Sequence, residues 1–159
     1  MKALIVALTM IAAPVWAQDL VFSMTDTEEC FASEGTFDEC VGASAARCIE
    51  ETEGGYSTVG MGACYDAERA AWDAELNRVY GEAMAVAEEM DSENGPNAYQ
   101  AEALRAMQRA WIPYRDATCD YVRSQYGGGT GGGPAAMVCL MTETARQALY
   151  LQAQIEEGN

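Results

Sequence analysis

Apolar residues recur at intervals of three and four along most of the chain, which is the spacing that places side chains on one face of an α-helix. The first such stretch spans residues 57–90, with Ser57 or Thr58 as its N-cap. Its apolar face consists of Trp72, Leu76, Val79, Tyr80, Ala83 and Ala87. The turn Asp91 to Pro96 ends this predicted helix.

Two further helices are predicted by the same spacing. The second runs from about Asn97 to Tyr126 and continues past Pro113, where we expect a kink. Its apolar face consists of Leu104, Met107, Trp111, Ile112, Tyr114 and Val122. The third, from about Pro134 to Glu157, carries Val138, Met141, Ala145, Leu149 and Gln152 on one side. These patterns predict an all-α fold, a small disulfide-stapled antiparallel helical bundle.

The N-terminal residues have the order of a secretory signal: a positive start, an apolar run over residues 3–13, and a small residue at the cleavage point. We expect cleavage after Ala17. The run is too short to span a bilayer, and the residue directly after the cleavage point, Gln18, is not the cysteine that lipid attachment would require. The sequence therefore predicts a periplasmic or secreted product, with no membrane insertion after signal cleavage.

Six cysteines follow the predicted cleavage point, and in an exported chain an even number indicates disulfides. Helical geometry would hold Cys40 and Cys48 roughly 12 Å apart, beyond the ~7 Å bridging limit. Cys119 and Cys139 lie at comparable distances on either side of the glycine-rich segment 127–133 and are predicted to pair. Proximity favours Cys48 with Cys64 and therefore Cys30 with Cys40, although the sequence leaves the pairing of these four open.

The charge is strongly negative. Removal of Lys2 with the signal leaves eight arginines against 25 acidic residues, a net charge near −17. Nucleic acids and anionic membranes would repel such a chain, whereas a basic protein partner would be attracted. The alternative is that the charge only maintains solubility.

Catalytic and metal-binding motifs are sparse. Histidine is absent, the cysteines are expected to be oxidised, and phosphate-binding and serine-hydrolase motifs are missing. The segment from Asp91 to Glu102 superficially resembles a calcium loop, but Pro96 occupies the position that requires glycine. The sequence thus predicts no enzyme, metal or cofactor, and a hydrolase with paired carboxylates is a remote alternative.

Several charged side chains crowd the second helix around Trp111. Carboxylates such as Asp73 or Glu75 on the preceding helix could complete an ion-pair network with them. This cluster is interpreted as a structural network that orients the helices, with a binding site as the alternative. Its residues are Trp72, Asn77, Tyr80, Arg105, Arg109, Trp111, Arg115 and Asp116.

Two segments, Trp72 to Tyr80 and Leu104 to Cys119, with Cys139 and Thr144 to Arg146 after them, resemble the lysozyme inhibitor LprI-like family, long catalogued as a domain of unknown function in exported bacterial proteins. The resemblance covers about residues 48–151. It implies a helical periplasmic or surface-attached domain and, for the mycobacterial lipoprotein that names the family, inhibition of lysozyme. The expected organisation is a signal peptide (1–17), a cysteine-containing N-terminal extension (18–56) and an LprI-like helical domain (57–159).

The expected function is that of an exported binding protein that inhibits a basic protein such as lysozyme by steric and electrostatic occlusion. Gly129, Thr130 and Gly131, in the exposed connector, are the candidate partner-binding residues, although the segment could be a plain linker. The alternative function is a structural or envelope-associated periplasmic interaction module without inhibitory activity.

Overall fold

A computed structural model describes residues 19–157, so the predicted signal peptide and its cleavage point lie outside the described residues. The described part of the chain is all-helical, without β-strands, which confirms the predicted fold class. Its helices are α1 (Thr25–Ala32), α2 (Phe37–Cys40), α3 (Ala43–Glu51), α4 (Thr58–Asn94), α5 (Gln100–Ser124) and α6 (Gly132–Glu157).

The core lies between the three long helices. Consecutive helices run antiparallel across short connections, so α4 and α6 are parallel and share the most extensive interface. On this interface the stripe predicted for α4 is buried, and Tyr80 packs beside it. Its partners on α6 are Met141, Ala145, Ala148 and Leu151.

Helix α4 is longer than the sequence predicted. It begins where expected, with the Ser57 side chain accepting a hydrogen bond from the Gly60 amide at 3.0 Å. It then continues through Asn94 to Gly95, which has a left-handed φ of 83°. The turn predicted from Asp91 is therefore wrong in its first four residues, because none of the residues 91–94 is a glycine or a proline that would end the helix before Gly95.

Asp91, the residue expected to open that turn, instead caps the next helix. Its carboxylate accepts hydrogen bonds from the backbone amides of Gln100 at 2.7 Å and Ala101 at 3.0 Å. These amides have no partner within α5, and a carboxylate also interacts favourably with the positive end of the helix. The cap explains why α5 begins at Gln100 and not near Asn97.

The apolar face predicted for α5 is correct only in part. Leu104, Met107 and Trp111 pack against the core, whereas Ile112 and Tyr114 are 44% and 62% exposed. The prediction was too wide because α5 presents a single narrow strip to its neighbours. Pro113 lies on the exposed side, and the helix continues through it.

Three disulfides staple the bundle. They join Cys30 to Cys40, Cys48 to Cys64 and Cys119 to Cys139, with Cα–Cα distances of 5.3, 5.7 and 5.4 Å. These are the pairs that the sequence favoured. Among the described residues, no helix combines the length and the apolar character needed to cross a membrane.

Candidate functional site

The connector between α5 and α6 forms a series of tight turns. The amide of Gly129 donates to the Tyr126 carbonyl at 2.8 Å, and the amide of Gly132 donates to the Gly129 carbonyl at 3.1 Å. Gly127 and Gly128 have left-handed φ values of 57° and 85°, a conformation that favours glycine. The connector therefore has a definite, hydrogen-bonded shape.

The predicted partner-binding residues occupy different positions in this shape. Gly129 and Thr130 are exposed, whereas Gly131 is half-buried. A Cβ atom at Gly131 would lie 3.2 Å from the ring of Tyr126, so the aromatic ring covers this part of the connector. Of these three residues, only Gly129 and Thr130 are fully accessible to a partner.

The connector shares one end of the bundle with the start of α4. Thr130 and Val59 line a common concavity of about 470 Å³, with Asp66 also in its wall. Tyr56 and Val59 are 71% and 73% exposed at this end. The end thus combines an exposed loop with apolar side chains, both of which a protein partner can bury.

Among the described residues, the predicted ion-pair network between the helices is reduced to one contact, between Arg105 of α5 and Glu88 of α4, and the remaining pairs lie within single helices. Asn77 donates to Asp73 at 3.4 Å within α4, and Arg105 approaches Glu88 at 4.0 Å. Arg109 is exposed and makes no ion pair with any described residue. Within α5, Arg115 binds Asp116 through two hydrogen bonds of 2.8 and 2.9 Å.

Other members of the predicted network are part of the packing. Arg115 also lies over the ring of Trp111, with its guanidinium carbon 4.9 Å from the ring centroid. Trp72 is buried in the core, and Tyr80 packs against the same core cluster. The expected cross-helix carboxylate, Glu75, binds Arg78 on its own helix, because residues three apart on a helix are neighbours. That hydrogen bond lowers the pKa of the Glu75 carboxyl.

Sequence reasoning missed Glu68, a fully buried carboxylate that joins the extension to α4. It accepts hydrogen bonds from the amides of Gly42 and Ala45, both at 2.7 Å. It also accepts from the Thr27 hydroxyl at 3.1 Å and the Trp72 indole at 3.2 Å. Glu68 therefore caps α3 from a different helix and holds α1 in place.

A signal for Glu68 was present in the sequence. It lies midway between Cys64 and Trp72 at helical spacing, so it falls on the buried stripe of α4 and not on a solvated face. Its carboxylate is enclosed and saturated with donors, which leaves no access for a substrate. Its role in this structure is structural.

The described residues contain no group of three or more histidine, cysteine or acidic side chains that could hold a metal ion. All six cysteines are in disulfides. Asp91, the first residue of the segment that resembles a calcium loop, instead accepts hydrogen bonds from two backbone amides of α5. The described surface presents exposed backbone at the connector together with exposed aromatic rings and carboxylates.

Comparison with known proteins gives one family. The model of the family described as lysozyme inhibitor LprI matches residues 48–151. An uncharacterized protein of Rhizobium meliloti (strain 1021) is 34% identical over 106 residues, which cover 64% of this chain and 76% of the relative. No solved structure matches the chain significantly. The family match begins inside α3, before the boundary at residue 57 that the helix pattern predicted, and contains the connector.

Proposed function

The chain belongs to the lysozyme inhibitor LprI family, and from this premise we propose that it is an exported protein that inhibits a basic lysozyme by covering part of the enzyme. The observation that carries the proposal is the connector, where Gly129 and Thr130 are exposed on hydrogen-bonded turns between two helices that the Cys119–Cys139 disulfide joins. An ordered loop loses little conformational freedom when it binds, which favours affinity. The three disulfides are consistent with export.

The distribution of charge supports attraction of a basic enzyme. Six of the eight arginines already lie within 4.0 Å of a carboxylate of this chain. The remaining acidic side chains therefore determine the field outside the molecule. Such a field steers a basic protein toward the surface and raises the association rate, an effect that weakens with salt.

The test is lysis of bacterial cell walls by a basic animal-type lysozyme, with the oxidised protein, from Asp19 onward, titrated in at low and moderate salt. We expect saturable inhibition that persists at moderate salt. Thr130→Arg should weaken it by about tenfold or more, because the substitution adds bulk and positive charge at the tip. Ser92→Arg adds the same charge at the opposite end of α4 and should have little effect.

The two parts of the proposal fail in different ways. Absence of inhibition by the unmodified protein, or inhibition that disappears at modest salt, would contradict the inhibitor function. If Thr130→Arg inhibits as strongly as the unmodified protein, the inhibitor function is supported but the connector is not the site that binds lysozyme. Circular dichroism of each variant separates both results from misfolding.

One observation favours the second candidate function, an interaction module that assembles with another exported protein. Helix α5 exposes Tyr114 and Tyr121, which are 62% and 66% accessible and lie seven residues apart on one face. Exposed aromatic side chains at helical spacing are typical of protein interfaces. A photo-crosslinking amino acid at Tyr121 tests this function, because a specific crosslinked product in the periplasm supports it and only solvent-quenched products contradict it.

A further inference from the structure

A groove lies between α1, α4 and α6, away from the connector. Its volume is about 800 Å³, within the range of ligand-binding clefts. We infer that this groove, named here the α1 groove, binds a basic peptide segment of a protein partner through an apolar side chain. The α1 groove and the connector concavities share no lining residue, so the inference does not rest on inhibition of lysozyme.

The floor of the α1 groove is apolar and aromatic. Phe31 and Trp72 meet edge to face with ring centroids 6.1 Å apart. Met24, Ala148 and Leu149 extend this floor on either side. A side chain such as phenylalanine or leucine would bury apolar area here and gain about 25 cal/mol per Å² removed from water.

The rim of the α1 groove selects a cationic partner. Glu28 is exposed and makes no ion pair with any residue from 19 to 157. Arg78, the only basic side chain in the lining, binds Glu75 through two hydrogen bonds, and it binds Glu82 at 2.6 Å. Since two carboxylates already neutralise Arg78, the rim has excess negative charge and complements lysine or arginine beside the apolar side chain.

The walls of the α1 groove are held before any partner arrives. Helix α1 is tied to α2 by the Cys30–Cys40 disulfide. The Thr27 amide donates to the Ser44 hydroxyl at 3.0 Å, and the Thr27 hydroxyl donates to Glu68. A preformed groove binds without the cost of ordering its walls. Because α1 lies outside residues 48–151, this site belongs to the extension and not to the family domain alone.

The experiment uses a fluorescently labelled peptide with phenylalanine flanked by arginines, and a matched peptide with glutamates in place of the arginines. Binding is followed by fluorescence anisotropy. We expect saturable binding of the basic peptide only. Ala74→Trp places an indole in the α1 groove from an exposed position and should weaken binding by about tenfold or more. Glu28→Lys should weaken it by about tenfold at low salt.

A matched control and an independent variant make the test decisive. Ala85→Trp adds the same indole at an exposed alanine of α4 outside the α1 groove and should leave the affinity unchanged. If Ala74→Trp does not fold by circular dichroism, Glu28→Lys decides alone. The inference is overturned if the basic peptide shows no saturable binding, if both peptides bind equally, or if a folded groove variant binds like the unmodified protein.

A second copy of this chain is the other occupant to distinguish. Sedimentation of the protein alone, with and without Ala74→Trp, measures self-association. Association that this substitution abolishes, without binding of the basic peptide, would show that a second copy fills the α1 groove and would overturn the inference. A monomer that binds the basic peptide supports it.

Discussion

Replacement of Glu68 by alanine should destabilise the protein more than any exposed acidic substitution in α4. The carboxylate is fully buried and accepts four hydrogen bonds, two of them from the backbone amides of Gly42 and Ala45. Alanine removes the acceptor but leaves both amides in place. A buried donor without a partner retains its full desolvation cost, so the loss exceeds the net value of the hydrogen bonds themselves.

The magnitude follows from these donors. Each orphaned buried amide costs about 1–3 kcal/mol, and the cavity left by the side chain adds to this. The Thr27 hydroxyl can rotate to another acceptor, so it contributes less. We expect the free energy of unfolding to fall by about 3–5 kcal/mol, as the sum of the two orphaned amides and the cavity. Glu68→Gln retains one oxygen and should cost about 1–3 kcal/mol.

The assay is urea unfolding of the oxidised protein, followed by far-ultraviolet circular dichroism. Glu89→Ala is the control, because Glu89 is exposed on the same helix and its loss should change the free energy of unfolding by no more than about 0.5 kcal/mol. Hydrogen exchange provides a local measurement. The amides of Gly42 and Ala45 should lose protection in Glu68→Ala before the core of α4 and α6 does.

Two results would refute this reasoning. A loss below about 1 kcal/mol in Glu68→Ala would mean that the amides find other partners and that Glu68 does not hold the extension. Unchanged exchange at Gly42 and Ala45, together with a large global loss, would place the effect in the packing of Trp72 and not in the cap of α3.

Three further predictions concern separate parts of the chain. Replacing Cys119 and Cys139 with alanine should lower the free energy of unfolding by about 3 kcal/mol, measured by urea unfolding, and an unchanged midpoint would contradict a constraining role. Gly128→Ala should cost about 1–2 kcal/mol because its φ is 85°, and calorimetry should show a lower melting temperature. Thr36→Ala removes one of two hydrogen bonds that lower the pKa of the Glu39 carboxyl, so NMR titration should show that pKa partly restored.

The Glu39 carboxyl links the stability of the fold to pH. Its pKa is lowered in the folded protein, chiefly by the hydrogen bond from the Thr36 amide and then by the one from the Thr36 hydroxyl. A lowered carboxyl pKa stabilises the fold above the unfolded value, and this contribution is lost as the pH falls through the folded value. In Thr36→Ala the folded pKa of Glu39 should rise toward the unfolded value. The pH range over which this stability is lost should therefore become narrower, because its lower limit moves upward.

The three long helices could be predicted from the sequence because their signals are local. The spacing of Trp72, Leu76 and Val79 predicts one buried face wherever the partners lie. The Cys119–Cys139 pair was also predictable, because the glycine-rich connector joins two antiparallel helices and the two cysteines lie at similar distances from it along the chain. Both inferences depend on residues that are close together along the chain.

The parts that the sequence did not predict depend on distant segments. The donors to Glu68 come from residues 27, 42 and 45, and no pattern within α4 identifies them. The exposure of Ile112 and Tyr114 likewise depends on how many neighbours α5 has, which periodicity alone does not specify. Local spacing predicts a helix and its buried centre line, but the width of the buried face is a tertiary property.

The family match separates the two proposed binding surfaces. Residues 48–151 include the connector and exclude α1, so the connector lies within the part of the chain that the family model matches and α1 does not. The α1 groove requires Met24, Glu28 and Phe31, which lie outside that range. The hydrogen bond from the Thr27 hydroxyl to Glu68 joins α1 to the family domain, so the extension adds a second surface to that domain. Substitutions at Glu28 should therefore leave lysozyme inhibition intact, whereas substitutions at Thr130 should leave peptide binding intact.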